Sequence, residues 1–477
     1  MKCNESWGIN DAFSRNHTLP YTTIALQQLN LVYRYGLLYY NTAVLISDSG
    51  SGSIEKDGTT NYGKVAVALD NMKQNNINVE LPNINLAGYT FKPNNTNSSI
   101  LYGLFAITGM NKDVVNHIIE NRPYSSLKDF TMKVGLTKTQ TLNLIKAGAF
   151  DELEGRDRLD ILRDYIVSNL KLKSSLTSTN LLSIIEKGYN RCTCYEPTCR
   201  VCLEARFVRF RKYIMNKNNK VKVENSKKDF YKLDDISVEF FNQHFIEHME
   251  EDKHYFYDNE GSTVIDKTQF DKVYKDMIKG TLEWLSEAKT IDMYNEKLIE
   301  EEIVATKSNF ELSQLEMQSL NYYYTKHYLD GIELNMYGVK SFKDLPEIPT
   351  IASQKTTKNG RIFTTYDTCR LAGTIVDIDK NKHMISLSTT TGVVGVKFRN
   401  KGSFIHYTKQ ISQIQSDGTK KVIEKPWLAR HNNILVSGYR SGDIFYVSKY
   451  ADLEHTVALI IGKEKDRLIL KTEREMA

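Results

Sequence analysis

With 477 residues the chain exceeds one domain of ordinary size, and about two to four folding units are expected. Apolar residues make up 41% and charged ones 25%, which excludes wholesale disorder and fibrous or collagen-like architectures. The 63 basic and 58 acidic residues leave a net charge of +5, which permits a nucleic-acid partner without demanding one. No apolar run reaches the length of a membrane span, and the opening MKCNESWGIN lacks the basic and apolar regions of a secretory leader. A soluble cytoplasmic protein with no membrane partner is expected.

Residues 18–46, TLPYTTIALQQLNLVYRYGLLYYNTAVLI, carry apolar side chains three and four residues apart and predict a buried or half-buried helix pair. The Gly, Ser and Asp-rich stretch that follows reads as a loop or helix break, and YGKVAVALDNM, 62–72, as a short helix. Over 75–99 a brief alternation gives way to Pro and Asn clusters, which predicts short strand pieces in a turn-rich segment. From 100 to 170 short helical patterns alternate with Gly-containing turns. Residues 171–310 are rich in Lys, Tyr and Asn and include long helical patterns such as DKVYKDMIKGTLEWLSEA. A helical connector is expected over 311–362. From 363 the period switches to two in TCRLAGTIVDI, HMISLSTTTGVVGVKF, NILVSGYR and IFYVSKYA, which predicts a small antiparallel barrel over 363–455 and a tail over 456–477. The expected fold class is multidomain α+β, mainly helical, with a C-terminal barrel.

Three segments carry candidate chemistry. AITGMNKDVVNHIIENR has the pattern of a helix-hairpin-helix: Ile107 packs the hairpin, Thr108, Gly109 and Asn111 build the turn, and the next helix, from Lys112, presents free backbone amides. Such amides hold a DNA phosphate without reading sequence. Asn111 stands where a second glycine is usual, and Asn tolerates the left-handed conformation better than most residues. The alternative is an ordinary helix corner. Cys192, Cys194, Cys199 and Cys202, spaced CxC and CxxC, suit a structural tetrahedral zinc with no open position; free thiols in a flexible insertion are the alternative. Downstream, RFVRFRKY interleaves Arg206, Arg209, Arg211 and Lys212 with aromatics, as a nucleic-acid-binding or simply solvated helix face does. The terminal barrel has the look of an OB-fold, in which Lys397, Phe398, Arg399, Phe404 and Tyr407 are candidates for single-strand binding or, alternatively, core and solvated residues.

Catalytic patterns are missing. There is no phosphate-binding glycine-lysine loop, no Gly-x-Ser-x-Gly and no His-Glu-x-x-His. Asp377 and Asp379 lie in TIVDIDKNKHMIS, where Asp, Lys and Asn make a hairpin turn, and they are not assigned as a site.

In order and in motif these segments resemble the C-terminal part of the bacterial replicative DNA polymerase III alpha subunit, the C-family polymerases. The family's fingers motif of Phe, Asn, Lys, Ser and His resembles Phe13, Ser14, Arg15, Asn16 and His17, where the Phe, the basic residue and the His are kept and the Asn and Ser places are changed, followed by Tyr21, Gln27 and Tyr35. NINVELPNIN is similar to the family's extended segment through Ile77, Val79, Pro82 and Asn85. A tandem helix-hairpin-helix comes next, in which Ala147, Gly148, Ala149, Phe150 and Asp151 form the most specific match. LEMQSLNYYYTKHYLD, with His327 and Leu329 in place, resembles the segment before the family's OB domain. The resemblance covers 10–155 and 311–450 with gaps, and leaves 171–310 as an insertion.

The resemblance implies that 1–99 is the C-terminal part of the fingers and 100–170 the duplex-binding hairpin region. Phe13, Arg15 and His17 would lie near the incoming nucleotide or template, and Thr108, Gly109, Asn111 and Lys112 would grip primer-template duplex. The barrel would hold single-stranded template. In the family the chemistry is a two-metal displacement run by palm aspartates. This chain is expected to lack the palm, to be inactive alone, and to see Mg2+ only through a palm-bearing partner chain, as one half of a split phage or prophage polymerase; a truncated fragment is equally compatible with the sequence. Zn2+ at the cysteines is a structural expectation. A sliding clamp is a further implied partner, with Gln314 and Leu315 in the right neighbourhood. The rival reading is a stand-alone, non-catalytic DNA-binding adaptor built from the same modules.

Overall fold

The computed structural model describes residues 15–50, 60–177, 180, 184, 200–224, 226–356, 360, 362–414, 420–449 and 455–474. Two units emerge, one formed by Met1–Asp164 with Ser308–Ala477 and the other by Tyr165–Lys307.

The first unit begins with α1 (Arg15–Tyr35) and α2 (Leu37–Asp48), separated at Gly36. The helix pair is present, but the expected burial of α1 is not: Leu29 is 66% and Tyr33 90% exposed. At about 100° per residue, Leu19, Leu26, Leu29 and Tyr33 fall on one side of the helix and Tyr21, Ile24, Leu31 and Tyr35 on the other. Apolar spacing at three and four residues is therefore met twice over, on opposite faces, and one packing partner cannot cover both. In α2, Leu45 is fully buried. Helix α3 (Tyr62–Gln74) starts at Asn61, whose side chain caps the amide of Lys64, and buries Val65, Ala66, Leu69 and Met72. The turn-rich segment supplies three short strands, β1 (Asn78–Glu80), β2 (Lys92–Asn94) and β3 (Ser99–Leu101), in the order β1-β3-β2. Then come α4 (Lys112–Glu120), α5 (Leu127–Val134), α6 (Lys138–Lys146), α7 (Asp151–Glu154) and α8 (Arg158–Ser168), the last crossing into the second unit.

The second unit has its own core. Strands β4 (Lys220–Val221), β5 (Phe230–Lys232), β6 (Tyr255–Tyr257) and β7 (Thr263–Asp266) form an antiparallel sheet in the order β4-β5-β7-β6. Helices Arg200–Ile214, Asp235–His244 and Lys267–Met277 contribute Phe207, Phe210, Phe241 and Phe270 to the aromatic core, joined by Phe245. The long helical pattern after 271 is split at Ile278 into Lys267–Met277 and Lys279–Ser286.

The first unit resumes with the helix Leu312–Leu320, stopped by Asn321 in a left-handed conformation. The stretch read as a helical connector then contains a ribbon, β8 (Ile351–Thr356) paired with β9 (Ile362–Tyr366). The expected barrel follows. Strands β10 (Cys369–Asp379), β11 (Met384–Thr389) and β12 (Gly392–Lys397) form a meander, the helix Lys401–Thr408 crosses over, and the hairpin β13 (Ile411–Ile414) and β14 (Lys420–Glu424) is inserted. Strands β15 (Asn433–Ser441) and β16 (Ile444–Val447) close the ring in the order β10-β11-β12-β16-β15, and β15 returns to pair with β10. Within this ring only β12 and β16 run parallel. A five-stranded ring with one parallel closure and a helix after its third strand is the OB architecture. The segment read as a tail contains β17 (Val457–Glu464) and β18 (Arg467–Lys471), which continue the sheet from β15. Among the described residues no helix is long and apolar enough to cross a membrane.

Candidate nucleic-acid interface

The hairpin turn is built from its polar side chains outward. Gly109 has φ +82°, a conformation L side chains rarely adopt, and an added Cβ would lie 3.2 Å from the Asn143 amide. Asn111 is not left-handed, as its glycine-like place had implied. Its φ is −126°, and its side-chain oxygen accepts from the Val114 amide at 2.9 Å, the geometry of an N-cap. The residue therefore survives there by capping α4, leaving the amides of Lys112 and Asp113 without acceptors in their own helix. Lys112 is exposed beside them. The inner side of the turn is held firmly: Asn143 donates to the Thr108 carbonyl at 2.8 Å, and the Thr108 amide donates to Ser319 O at 2.8 Å. Asn321 donates to the Thr108 hydroxyl at 3.0 Å and accepts from Nε2 of His431 at 2.8 Å and from the Arg430 guanidinium, which also covers the Tyr62 ring. One asparagine thus links the hairpin to the barrel.

A second hairpin joins α5 to α6. Gly135 ends α5 in the left-handed region, and Thr137 with Gln140 forms a capping box for α6. The Ala-Gly-Ala-Phe-Asp phrase that follows is structural. Phe150 is fully buried against Phe130, and Gly148, at φ +82°, leaves room for the Arg158 guanidinium, which an added Cβ would meet at 2.5 Å. Arg158 pairs with Asp151, reaches the buried Glu316 at 3.4 Å and donates to Lys146 O at 3.3 Å. Glu316 in turn accepts from the amides of Tyr324 and Thr325 at 3.1 and 3.0 Å. Every charge here is paired and hydrogen-bonded, as burial requires. Sequence reading missed the Arg158–Glu316 pair because its two members lie 158 residues apart.

On the barrel, Phe398 is buried in the core with Phe404 and Tyr407, so of the five barrel candidates only Lys397 and Arg399 face outward. They flank an aromatic pair that sequence reading did not single out. Tyr439 opposes Tyr446 across β15 and β16, Lys397 is in register with Tyr446, and Arg399 lies 4.4 Å over the Tyr446 ring. Burial raises the Tyr439 phenol above its ordinary pKa against the opposing Arg399 charge. The strand alternation carried the signal: Ile434 and Val436 face the core, which sets Tyr439 on the opposite face of the sheet, where Tyr366, Tyr446 and Arg399 leave it only 7% exposed.

Phe13 lies outside the described residues, and Arg15 and His17 open α1 with side chains that are not described. Cys192, Cys194 and Cys199 also lie outside them, and Cys202 is in the helix Arg200–Ile214 without a described side chain. Among the described residues no group of three or more His, Cys, Asp or Glu side chains is arranged to hold a metal. Arg211 forks onto Asp271 at 2.6 and 2.8 Å while Phe207 and Phe210 enter the core, so much of that basic-aromatic helix is structural. Asp379 accepts from the amides of Asn381 and Lys382, as the hairpin-turn reading of that pair requires. Leu315, one of the two residues read as near a clamp motif, is fully buried and so is not itself on a docking surface.

The sequence model of the helix-hairpin-helix motif matches residues 76–159. The chain is 38% identical over 461 residues to the probable DNA polymerase YorL of Bacillus subtilis and to a DNA-directed DNA polymerase of Bacillus phage SPbeta, covering 94% of this chain and 34% of each relative. It is 32% identical over 157 residues to the DNA polymerase III subunit alpha of Xylella fastidiosa, covering 31% of this chain and 12% of that protein. The chain is thus similar to DNA polymerases over nearly all of its own length and to a DNA polymerase III alpha subunit over about a third of it. This polymerase-like chain spans about a third of the length of its Bacillus and phage relatives. The part of it outside those two alignments is too short to hold 171–310, so most of that segment is shared with them.

Proposed function

We propose that the chain is the fingers, duplex-gripping and single-strand-binding part of a replicative DNA polymerase, and that a palm on a separate polypeptide supplies the catalytic aspartates. The observation that carries this reading is the joining of a hairpin with outward amides to an OB barrel in one unit, in a chain similar to DNA polymerases over nearly all its length. Amides at Lys112 and Asp113 grip duplex phosphates without reading sequence. Phe13, Arg15 and His17 serve the incoming nucleotide or template, and Mg2+ enters with the palm. The spacing of Cys192, Cys194, Cys199 and Cys202 supports a structural zinc.

The two-faced apolar helix α1, with Leu19, Tyr21, Leu26 and Leu29 exposed, supports a packing partner outside the described residues. The test is a native pull-down of the full chain from its source cells with primer extension on the eluate. A co-purifying palm-bearing polypeptide with extension activity is expected. The chain alone, inactive yet binding DNA, would establish the adaptor instead.

A further inference from the structure

Charge in the second unit is segregated. Over Tyr165–Lys307 basic and acidic residues nearly cancel, at 23 and 24, yet 206–228 holds nine basic residues and one acidic, Glu224. That local excess of eight positive charges is larger than the +5 of the whole chain. Like charges gathered so closely repel one another, and a polyanion relieves the repulsion.

Part of the excess is neutralised inside the unit. Arg211 forks onto Asp271, Lys220 pairs with Asp229 at 2.5 Å and Lys228 with Asp266 at 2.7 Å. Arg206, Arg209, Lys212, Lys222 and Lys227 are exposed and make no ion pair among the described residues. In the helix Arg200–Ile214 the core takes Phe207, Phe210 and Ile214, which turns Arg206, Arg209 and Lys212 to the solvent side at three-residue spacing. At 1.5 Å per residue the three span about 9 Å. Arg206 lies 5.1 Å from the centroid of the Phe240 ring, a contact that orients its guanidinium on the surface.

Two structural roles account for some of these cations. A cation in the last helical turn complements the helix dipole, which covers Lys212, and lysines on an edge strand such as β4 deter pairing with other chains, which covers Lys220. Neither role reaches Arg206 and Arg209 in the middle of the helix. The rings interleaved with them are in the core, and Tyr213 is tied through its hydroxyl to Asp234, so the face presents charge rather than rings for unpaired bases. A duplex carries one negative charge per about 1.7 Å of its axis, dense enough to meet every cation of such a stripe.

We propose that this face of the second unit binds the phosphodiester backbone of duplex DNA without reading sequence, through Arg206, Arg209 and Lys212, with Lys222 and Lys227 adding to the field around it. The proposal rests on the reading that the chain works on DNA, and it adds to the hairpin a second phosphate-binding surface, in the segment that the polymerase III alpha resemblance leaves unmatched.

The experiment measures fluorescence anisotropy of the full chain with a labelled blunt duplex, and with one of its strands alone, each over a series of salt concentrations. The variants are Arg209→Ala with Lys212→Ala, then Arg209→Glu with Lys212→Glu, and Lys112→Glu in the hairpin. Lys272→Glu with Lys275→Glu is the control, the same charge change at exposed positions of another helix in the unit. Each phosphate contact adds about 0.9 to the slope of log affinity against log salt, so the alanine pair should lower that slope by about 2 and weaken duplex binding about thirtyfold at about 0.15 M salt. The glutamate pair should weaken it further, and the control pair should stay within about threefold. An unchanged salt slope in the alanine pair overturns the proposal, even if the glutamate pair unfolds the unit. An equal loss in the two glutamate pairs also overturns it, leaving only net charge, as does a loss confined to the single strand. Duplex binding that falls with Lys112→Glu alone sinks this face and keeps the hairpin, whereas wild-type chain that binds no duplex sinks the DNA reading with it.

Discussion

Acidification should strike this fold at one histidine before it reaches most carboxylates. His327 is buried where the barrel meets the helix Leu312–Leu320; its Nε2 donates to Ser388 O at 3.0 Å and its Nδ1 accepts from the Leu329 amide at 3.1 Å. Both ring nitrogens are satisfied only in the neutral form, since a proton on Nδ1 would face a donor. Burial accordingly lowers the pKa from the usual 6.5 to about 4. Below pH 6.5 the unfolded chain takes up a proton that the folded chain refuses, so stability is whole above that pH and falls as the pH drops toward 4. The loss works out at about 2 kcal/mol by pH 5 and about 3 kcal/mol by pH 4, where it levels off. Urea melts of wild type and His327→Asn at pH 7, 6 and 5, followed by circular dichroism, isolate this contribution. At pH 7 the variant should be less stable by about 1–2 kcal/mol, for the lost Ser388 bond and the smaller ring volume. By pH 5 that gap should have closed. A gap of constant size across the three pH values would refute the assignment.

Two further outcomes are expected. Gly148→Ala forces a Cβ onto the Arg158 guanidinium at a left-handed φ and should cost more than about 1 kcal/mol in denaturation, whereas Gly135→Ala, with nothing within 4 Å, should cost less; equal losses would remove the role given to Arg158. Purified protein should carry about one zinc per chain and lose order on chelation, and metal-free protein that is fully folded would remove zinc from the four cysteines.

The barrel was legible because each strand alternates and each turn is marked, so local pattern and global closure agree. The hairpin was legible for the same reason: Gly109 and the start of α4 are fixed by residues within a few positions of each other. What escaped was whatever depends on distant partners. Glu316 lies in a helix whose pattern says only that it is buried, and nothing local names Arg158 as its counter-charge. Phe398 next to Arg399 looks like a binding pair until the strand phase sends the ring inward. The ribbon was absorbed into a helical connector because its residues, Thr, Ser and Lys beside Ile and Phe, alternate too weakly to compete with the helix before them. The burial assigned to α1 failed because periodicity reports that a face exists, and not whether the chain owns a surface to put against it.

Asn321 turns two grips into one joint. Its amide holds the hydroxyl of the hairpin turn and its oxygen holds the Arg430 and His431 side chains of the barrel, while the neighbouring Ser319 carbonyl takes the turn's amide. A shift of the Thr108 turn by the width of one hydrogen bond must either drag the barrel loop along or break contacts on both sides of a single residue. The hairpin turn and the barrel loop therefore share one fastening, and a substitution at Asn321 would loosen both at once.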